Sequence, residues 1–274
     1  MAKVSKEAKQ LYSEKISEYK RSLEETTKKI DQMKLILKSD NSGAAYKRLL
    51  ISDETMKLVS LYDIMNRLSL ELLGIKNEFF INEARKACYE SLILLEAVFS
   101  DSMNAPFSDY QDKLEEVATY PVESKYSLLK KLGFSINMVK DAFGENSKWK
   151  MSFIDLEGRH AILSHNSINF KNIVKELDPR QRDLFAMHIN FLDMTIRALN
   201  DSANNYRLKY ELTTFKIDDF KKAILLLATL RRLYSYIGKK KELTVVHKKI
   251  EVWKSKLESD QLKQDQKIKQ GRLK

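Results

Sequence analysis

Four histidines, one cysteine and a scatter of neighbouring carboxylates are the groups from which any chemistry in this chain would have to be built. His160 and His165 lie close in sequence to Asp155, and imidazole with carboxylate suits several divalent ions. Their spacing matches no recognised metal motif and falls short of the three or four convergent ligands that a stable site uses. The adjacent pairs Glu24-Glu25, Glu115-Glu116 and Asp218-Asp219 occupy helical stretches, where consecutive side chains point apart and cannot share a proton. His188 sits in an apolar stripe and reads as a core histidine, while His247 and Glu251 are spaced as an i,i+4 surface pair. Cys88 has no partner for an internal disulfide and shares a helical stripe with Ile81, Ala84, Leu92, Leu95 and Phe99, the setting of an inert buried thiol. Seven scattered glycines form no phosphate-cradling turn, and no G-x-S-x-G elbow occurs. The expectation is a protein that is not an enzyme, with no catalytic residue, no cofactor and no metal.

One further constellation mixes charge with aromatic rings: Arg231-Arg232-Leu233-Tyr234-Ser235-Tyr236, and again the surroundings of Trp253. Single-strand nucleic-acid binders use such mixtures as stacking platforms. Here the rings follow core spacing, so packing is the expected role.

The elements that must position these residues are helices. With 43% hydrophobic residues the chain can build a core, and with only seven glycines and three prolines it has few places to turn. Near the start, Tyr12, Ile16, Tyr19, Leu23, Thr26, Ile30, Met33 and Leu37 follow one another at alternating four- and three-residue steps. A seam repeating every 3.5 residues keeps facing a partner helix, and this one extends over about 40 Å. Leu243, Val246, Ile250, Trp253 and Leu257 repeat the rhythm near the other end. The predicted fold class is all-α: an elongated helical-hairpin body with coiled-coil-like terminal arms and one small β-hairpin.

Along the chain this gives an N-terminal heptad arm over 1–40, a helical-hairpin body over 41–147, a β-hairpin over 148–166, long body helices over 167–240, and a C-terminal heptad helix with a basic polar tail over 241–274. Gly43 and Gly74 stand where the first two helices should stop, and a helix over 77–99 follows. Pro121, Gly133 and Gly144 cut the next stretch into three expected short helices, over 108–119, 123–132 and 135–143. The β-hairpin rests on Trp149, Met151 and Phe153 alternating with Lys150 and Ser152, on a turn at Glu157-Gly158, and on the apolar run from His160 to Leu163. Its outer edge would accept a partner strand. A long helix is expected to reach about Phe215, another to end at Gly238, and the residues after Glu258 to form a frayed helix or a disordered tail.

Charge is uneven. From Gly238 onward there are twelve Lys/Arg against five Asp/Glu, a net of +7, which leaves +4 of the formal +11 for everything before. Such a tail would attract nucleic acid or an anionic membrane through a screened, unspecific field. No stretch approaches the roughly 20 apolar residues of a membrane span, and the first residues lack the apolar core of a secretion signal. The compartment expected is the cytoplasm if Met1 is the native start, with an exported mature form as the other case.

Leu230, Tyr234 and Gly238, followed by Leu243, His247 and Ile250, resemble one tetratricopeptide-type helix pair over about 227–257. The plan of heptad arms on a small helical body is similar to that of the filament-coiling proteins of spirochaete flagella. Both resemblances imply protein partners. The functional expectation is therefore a non-catalytic structural or adaptor protein, assembling with itself or other proteins and forming part of a filament or sheath such as that of a flagellum. The interaction residues would be Tyr12, Ile16, Tyr19, Leu23, Ile30, Met33 and Leu37 on one arm, Leu243, Val246, Ile250, Trp253 and Leu257 on the other, and Trp149, Met151 and Phe153 on the hairpin. The alternative is a nucleic-acid or anionic-membrane binder acting through the Lys-rich tail.

Overall fold

The computed structural model describes residues 4–145, 147–180 and 182–271, and no strand occurs among them. The chain divides into two compact units. Unit 1 comprises Met1–Ser100 and Asp112–Leu156, and unit 2 comprises Asp101–Gln111 and Glu157–Lys274.

Unit 1 is a layer of antiparallel helices: α1 (Lys6–Ser39), α2 (Ala44–Leu73), α3 (Glu78–Phe99), the short α4 (Gln111–Glu115), α5 (Val122–Phe143) and the first part of α6 (Lys150–Asn166). α1 starts where Ser5 Oγ accepts a hydrogen bond from the Ala8 amide at 3.1 Å, filling one of the orphan donors of the first turn. Gly74 stops α2 in a left-handed conformation (φ 68°), from which its own amide bonds Leu70 O and the Ile75 amide bonds Ser69 O, as a Schellman end requires. α2 packs against both α1 and α3, and α5 lies on α2 and α3. The α1 seam coincides with the covered stripe: Ile16 and Ile30 are buried, and Tyr12, Tyr19, Leu23, Thr26, Met33 and Leu37 are half-buried. Burying each isoleucine contributes about 1.5–3 kcal/mol. Ile16 packs with Met65 and Phe80, flanked by Tyr12, Tyr19, Leu23 and Tyr62.

The β-hairpin expected over 148–166 does not form. The segment is α6, and Phe153 is buried while Trp149 and Met151 are half-buried, so they offer no docking edge. Trp149 stacks under the Arg85 guanidinium at 3.9 Å, and Phe153 lies 5.6 Å from the Phe143 ring. Gly158, expected to turn the chain, sits inside the helix because a Cβ there would meet the Tyr206 ring at 2.7 Å. The glycine allows a close helix crossing. Gly133 is likewise internal to α5, which runs unbroken where two short helices were expected. The expected helix over 108–119 is reduced to a 3₁₀ turn (Phe107–Asp109) and α4.

Unit 2 contains the rest of α6, the single turn α7 (Ile173–Glu176), α8 (Arg182–Lys209), a π-helical turn (Tyr210–Thr214), α9 (Ile217–Tyr236) and α10 (Lys240–Gly271). α8 packs on α9 and α9 on α10. The π turn ends at Phe215 in a left-handed conformation (φ 51°), and Lys209 Nζ to Asp219 at 2.9 Å ties its two sides together. α10 continues helical to Gly271 where fraying was expected after Glu258. One contact past the last seam residue, Leu257, holds it there: Tyr210 Oη donates to Asp260 at 2.9 Å.

Candidate functional site

The three predicted interaction faces are covered within their own units. On α10, Val246, Ile250 and Trp253 are buried and Leu243 and Leu257 half-buried. Trp253 meets Phe220 at 5.9 Å, and the Lys249 ammonium and Arg207 guanidinium lie 4.8 Å and 5.2 Å from its ring centre. Burial, and after it the Arg207 charge, hold Lys249 below the ordinary lysine range. Cys88 is fully enclosed, and burial pushes its thiol up to about 12, where no nucleophilic thiolate exists at neutral pH. His188 is buried with Nδ1 3.5 Å from a Glu176 oxygen.

Among the described residues an open pocket of 380 Å³ lies between α9 and α10, at the end near their connecting turn. α9 supplies Ala228, Arg231, Arg232 and Ser235, α10 supplies Leu243 and His247, and Asn104 closes one side. Asn104 takes a left-handed conformation (φ 53°), which asparagine tolerates better than most residues. Its amide donates to Thr229 Oγ1 at 2.9 Å, and Arg232 Nη2 donates to both its backbone O at 3.0 Å and its Oδ1 at 3.1 Å. This grip fixes the guanidinium. Arg232 Nε is buried and has no hydrogen-bond partner.

Arg231 and Arg232 are adjacent, and Arg231 Nη1 lies 3.3 Å from His247 Nδ1. His247 thus meets an arginine instead of the expected Glu251, which pairs with Lys254. Among the described residues no carboxylate lies within ion-pair distance of either arginine. Lys239, Lys240 and Lys241 are exposed in the turn and first residues that follow, adding to the positive field.

Behind the pocket, aromatic packing holds the end of α9. Tyr236 stacks on Phe170 at 4.4 Å, and Phe170 also meets His165 at 5.1 Å and Phe107 at 5.9 Å. Burial lowers the His165 pKa to about 4, against the hydrogen bond that His165 Nδ1 donates to Asn166 Oδ1 and with a contribution from the Arg232 charge. Burial also raises the Tyr110 hydroxyl well above the usual phenol range. His165 Nε2 and Tyr110 Oη are buried without hydrogen-bond partners.

Sequence reasoning assigned Arg231, Arg232 and Ser235 to packing and missed Asn104 altogether. A signal was present: neither arginine has a carboxylate three or four residues away on its own helix. Among the described residues no group of three or more His, Cys, Asp or Glu is placed to hold a metal, and no helix is long and apolar enough to cross a membrane.

Comparison with known families decides the lineage over residues 8–261. The chain belongs to the TP0443 family. That is neither of the families to which the Leu230–Ile250 helix pair and the heptad plan bear a resemblance. No curated protein and no solved structure matches the chain.

Proposed function

We propose that this TP0443-family protein is a non-catalytic helical adaptor that takes up an acidic segment of a partner protein at the α9–α10 pocket. The observation that carries the reading is the pair Arg231 and Arg232, set side by side with His247 at an open cavity and matched by no carboxylate among the described residues. Clustered cations raise the energy of the unbound surface, and an incoming anion relieves it. The helical layers supply the rigid frame such a site needs. A filament or sheath role drew its support from the heptad seams, and these are already covered by α2 and α9 within the two units. At the start of the Lys-rich tail, Lys256 and Lys263 already lie 3.9 Å and 3.8 Å from Asp260, which weakens the support for polyanion binding there.

Fluorescence anisotropy with a labelled octaglutamate peptide tests the reading. Arg231→Glu is expected to weaken binding at least tenfold, and deletion of 258–274 to leave it nearly unchanged. Equal binding by Arg231→Glu and the parent, or loss only on deletion of the tail, overturns it.

A further inference from the structure

We infer that the group seated in the α9–α10 pocket is a phosphoryl group, carried on a phosphorylated side chain of the partner. This rests on the pocket being the recognition site, and it names the chemistry that site selects. A carboxylate is satisfied by one guanidinium fork. Arg232 Nη2 is held by Asn104, and the rest of the cavity's donors, the Arg231 guanidinium, the His247 imidazole and the exposed Ser235 hydroxyl, still outnumber the single fork that a carboxylate needs. A phosphate monoester brings three terminal oxygens and close to two negative charges at neutral pH, which matches both the donor number and the charge.

The arginines are also held in advance. Arg232 is gripped through two oxygens of Asn104, and Arg231 rests against His247, so little side-chain freedom is lost when the anion arrives. The cavity of 380 Å³ exceeds a phosphoryl group, and its remaining wall is Ala228 and Leu243, which suits the aliphatic stem carrying the phosphate. No Phe, Tyr or Trp ring lines it, so a nucleobase would lack the broad stacking platform that single-strand binders use. That favours a phosphorylated side chain over a nucleic-acid strand.

The test is isothermal titration of the full chain at constant ionic strength with five probes: inorganic phosphate, glycerol 3-phosphate, a phosphoserine heptapeptide, the same heptapeptide with Glu in place of phosphoserine, and a single-stranded oligonucleotide. The phosphopeptide is expected to bind at least tenfold tighter than its Glu counterpart. Arg231→Ala should remove that preference, and Arg231→Lys, which keeps the charge but loses the fork, should remove most of it. Arg231 is chosen because Arg232→Ala would also release Asn104 and could unfold the loop. Parent-like melting of the Arg231 variants separates recognition from folding. Glycerol 3-phosphate binding as tightly as the phosphopeptide keeps the phosphoryl group and overturns the side chain as its carrier. Equal affinity for phosphoserine and Glu peptides overturns the phosphoryl inference and leaves the acidic-partner reading standing. Failure of every probe overturns both, and the oligonucleotide binding tightest, or a preference untouched by Arg231→Ala, overturns this inference.

Discussion

The α1–α2 pairing of unit 1 and the α9–α10 pairing of unit 2 use the same four-three spacing of apolar residues, yet they treat charge in opposite ways. On unit 1, Lys29 of α1 reaches Glu54 of α2 at 2.8 Å, Lys34 pairs with Glu90, and Lys47 closes on Asp40 at 2.6 Å. Cations along that layer meet carboxylates. On unit 2 Lys254 and Lys256 also meet carboxylates, but Arg231 and Arg232 beside the seam face a cavity instead. The seam differs too: α1 buries two isoleucines under a stripe of half-covered residues, whereas α10 drives a tryptophan against Phe220 with Lys249 and Arg207 over its ring. The lesson is that a heptad rhythm specifies which face is covered and says nothing about the groups at its margin, where recognition resides.

Four substitutions and one pH series would break or sharpen this contrast. The largest effect belongs to the deeper seam: Trp253→Ala should cost about 3–5 kcal/mol in urea unfolding, and Ile30→Ala nearer 2 kcal/mol because α1 buries less beside it. A Trp253→Ala cost no larger than that of Ile30→Ala would erase the distinction. Gly158→Ala, which trades a helix gain for a collision with the buried Tyr206 ring, should lose up to about 3 kcal/mol; a stabilised variant would mean the α6–α8 crossing is loose. His165 offers a pH-dependent test of the packing behind the pocket. Its folded pKa of about 4 lies below the ordinary 6.5, so the unfolded chain takes up the proton first. Stability is therefore full above pH 6.5 and declines as pH falls toward 4, by about 2 kcal/mol between pH 7 and 5. His165→Gln should remove that share of the pH dependence, and an unchanged slope would refute the burial argument. Smallest is Glu54→Gln, which strips Lys29 and Lys57 of their partner on a solvated face and should change stability by less than about 1 kcal/mol.

Much of the helical order was legible before the fold. Gly43 and Gly74 end up left-handed at the predicted stops, Asn77 caps α3 by accepting from the Phe80 amide, and every α1 seam residue lies under cover, because these features act over one or two turns. The stretch 148–166 was misread for a physical reason. From Gly158 to Ser167 only one residue has appreciable exposure, and buried polar residues (His160, Ser164, His165, Asn166) interrupt the apolar ones, so the sequence carries little helical hydrophobic periodicity there. Trp149, Met151 and Phe153 then mimic a strand by coincidence. Gly133 and Gly158 read as breaks in the sequence since nothing local distinguishes a turn glycine from one that admits a neighbouring helix. The pocket was the least legible part. Asn104 is 128 residues from the arginine it holds, and Arg231 and His247 are brought together by the folding of two helices.

The central claim is that the arginines of the α9–α10 pocket lack an anion of their own so that a partner can supply it. His247 stands 3.3 Å from Arg231 on an exposed turn of α10, so His247→Glu gives the pocket its own anion. Thermal melting of that variant, read together with octaglutamate anisotropy, should show a midpoint raised by about 1–3 °C and peptide affinity reduced at least tenfold. A midpoint that stays level or drops while the peptide still binds as to the parent would contradict the account.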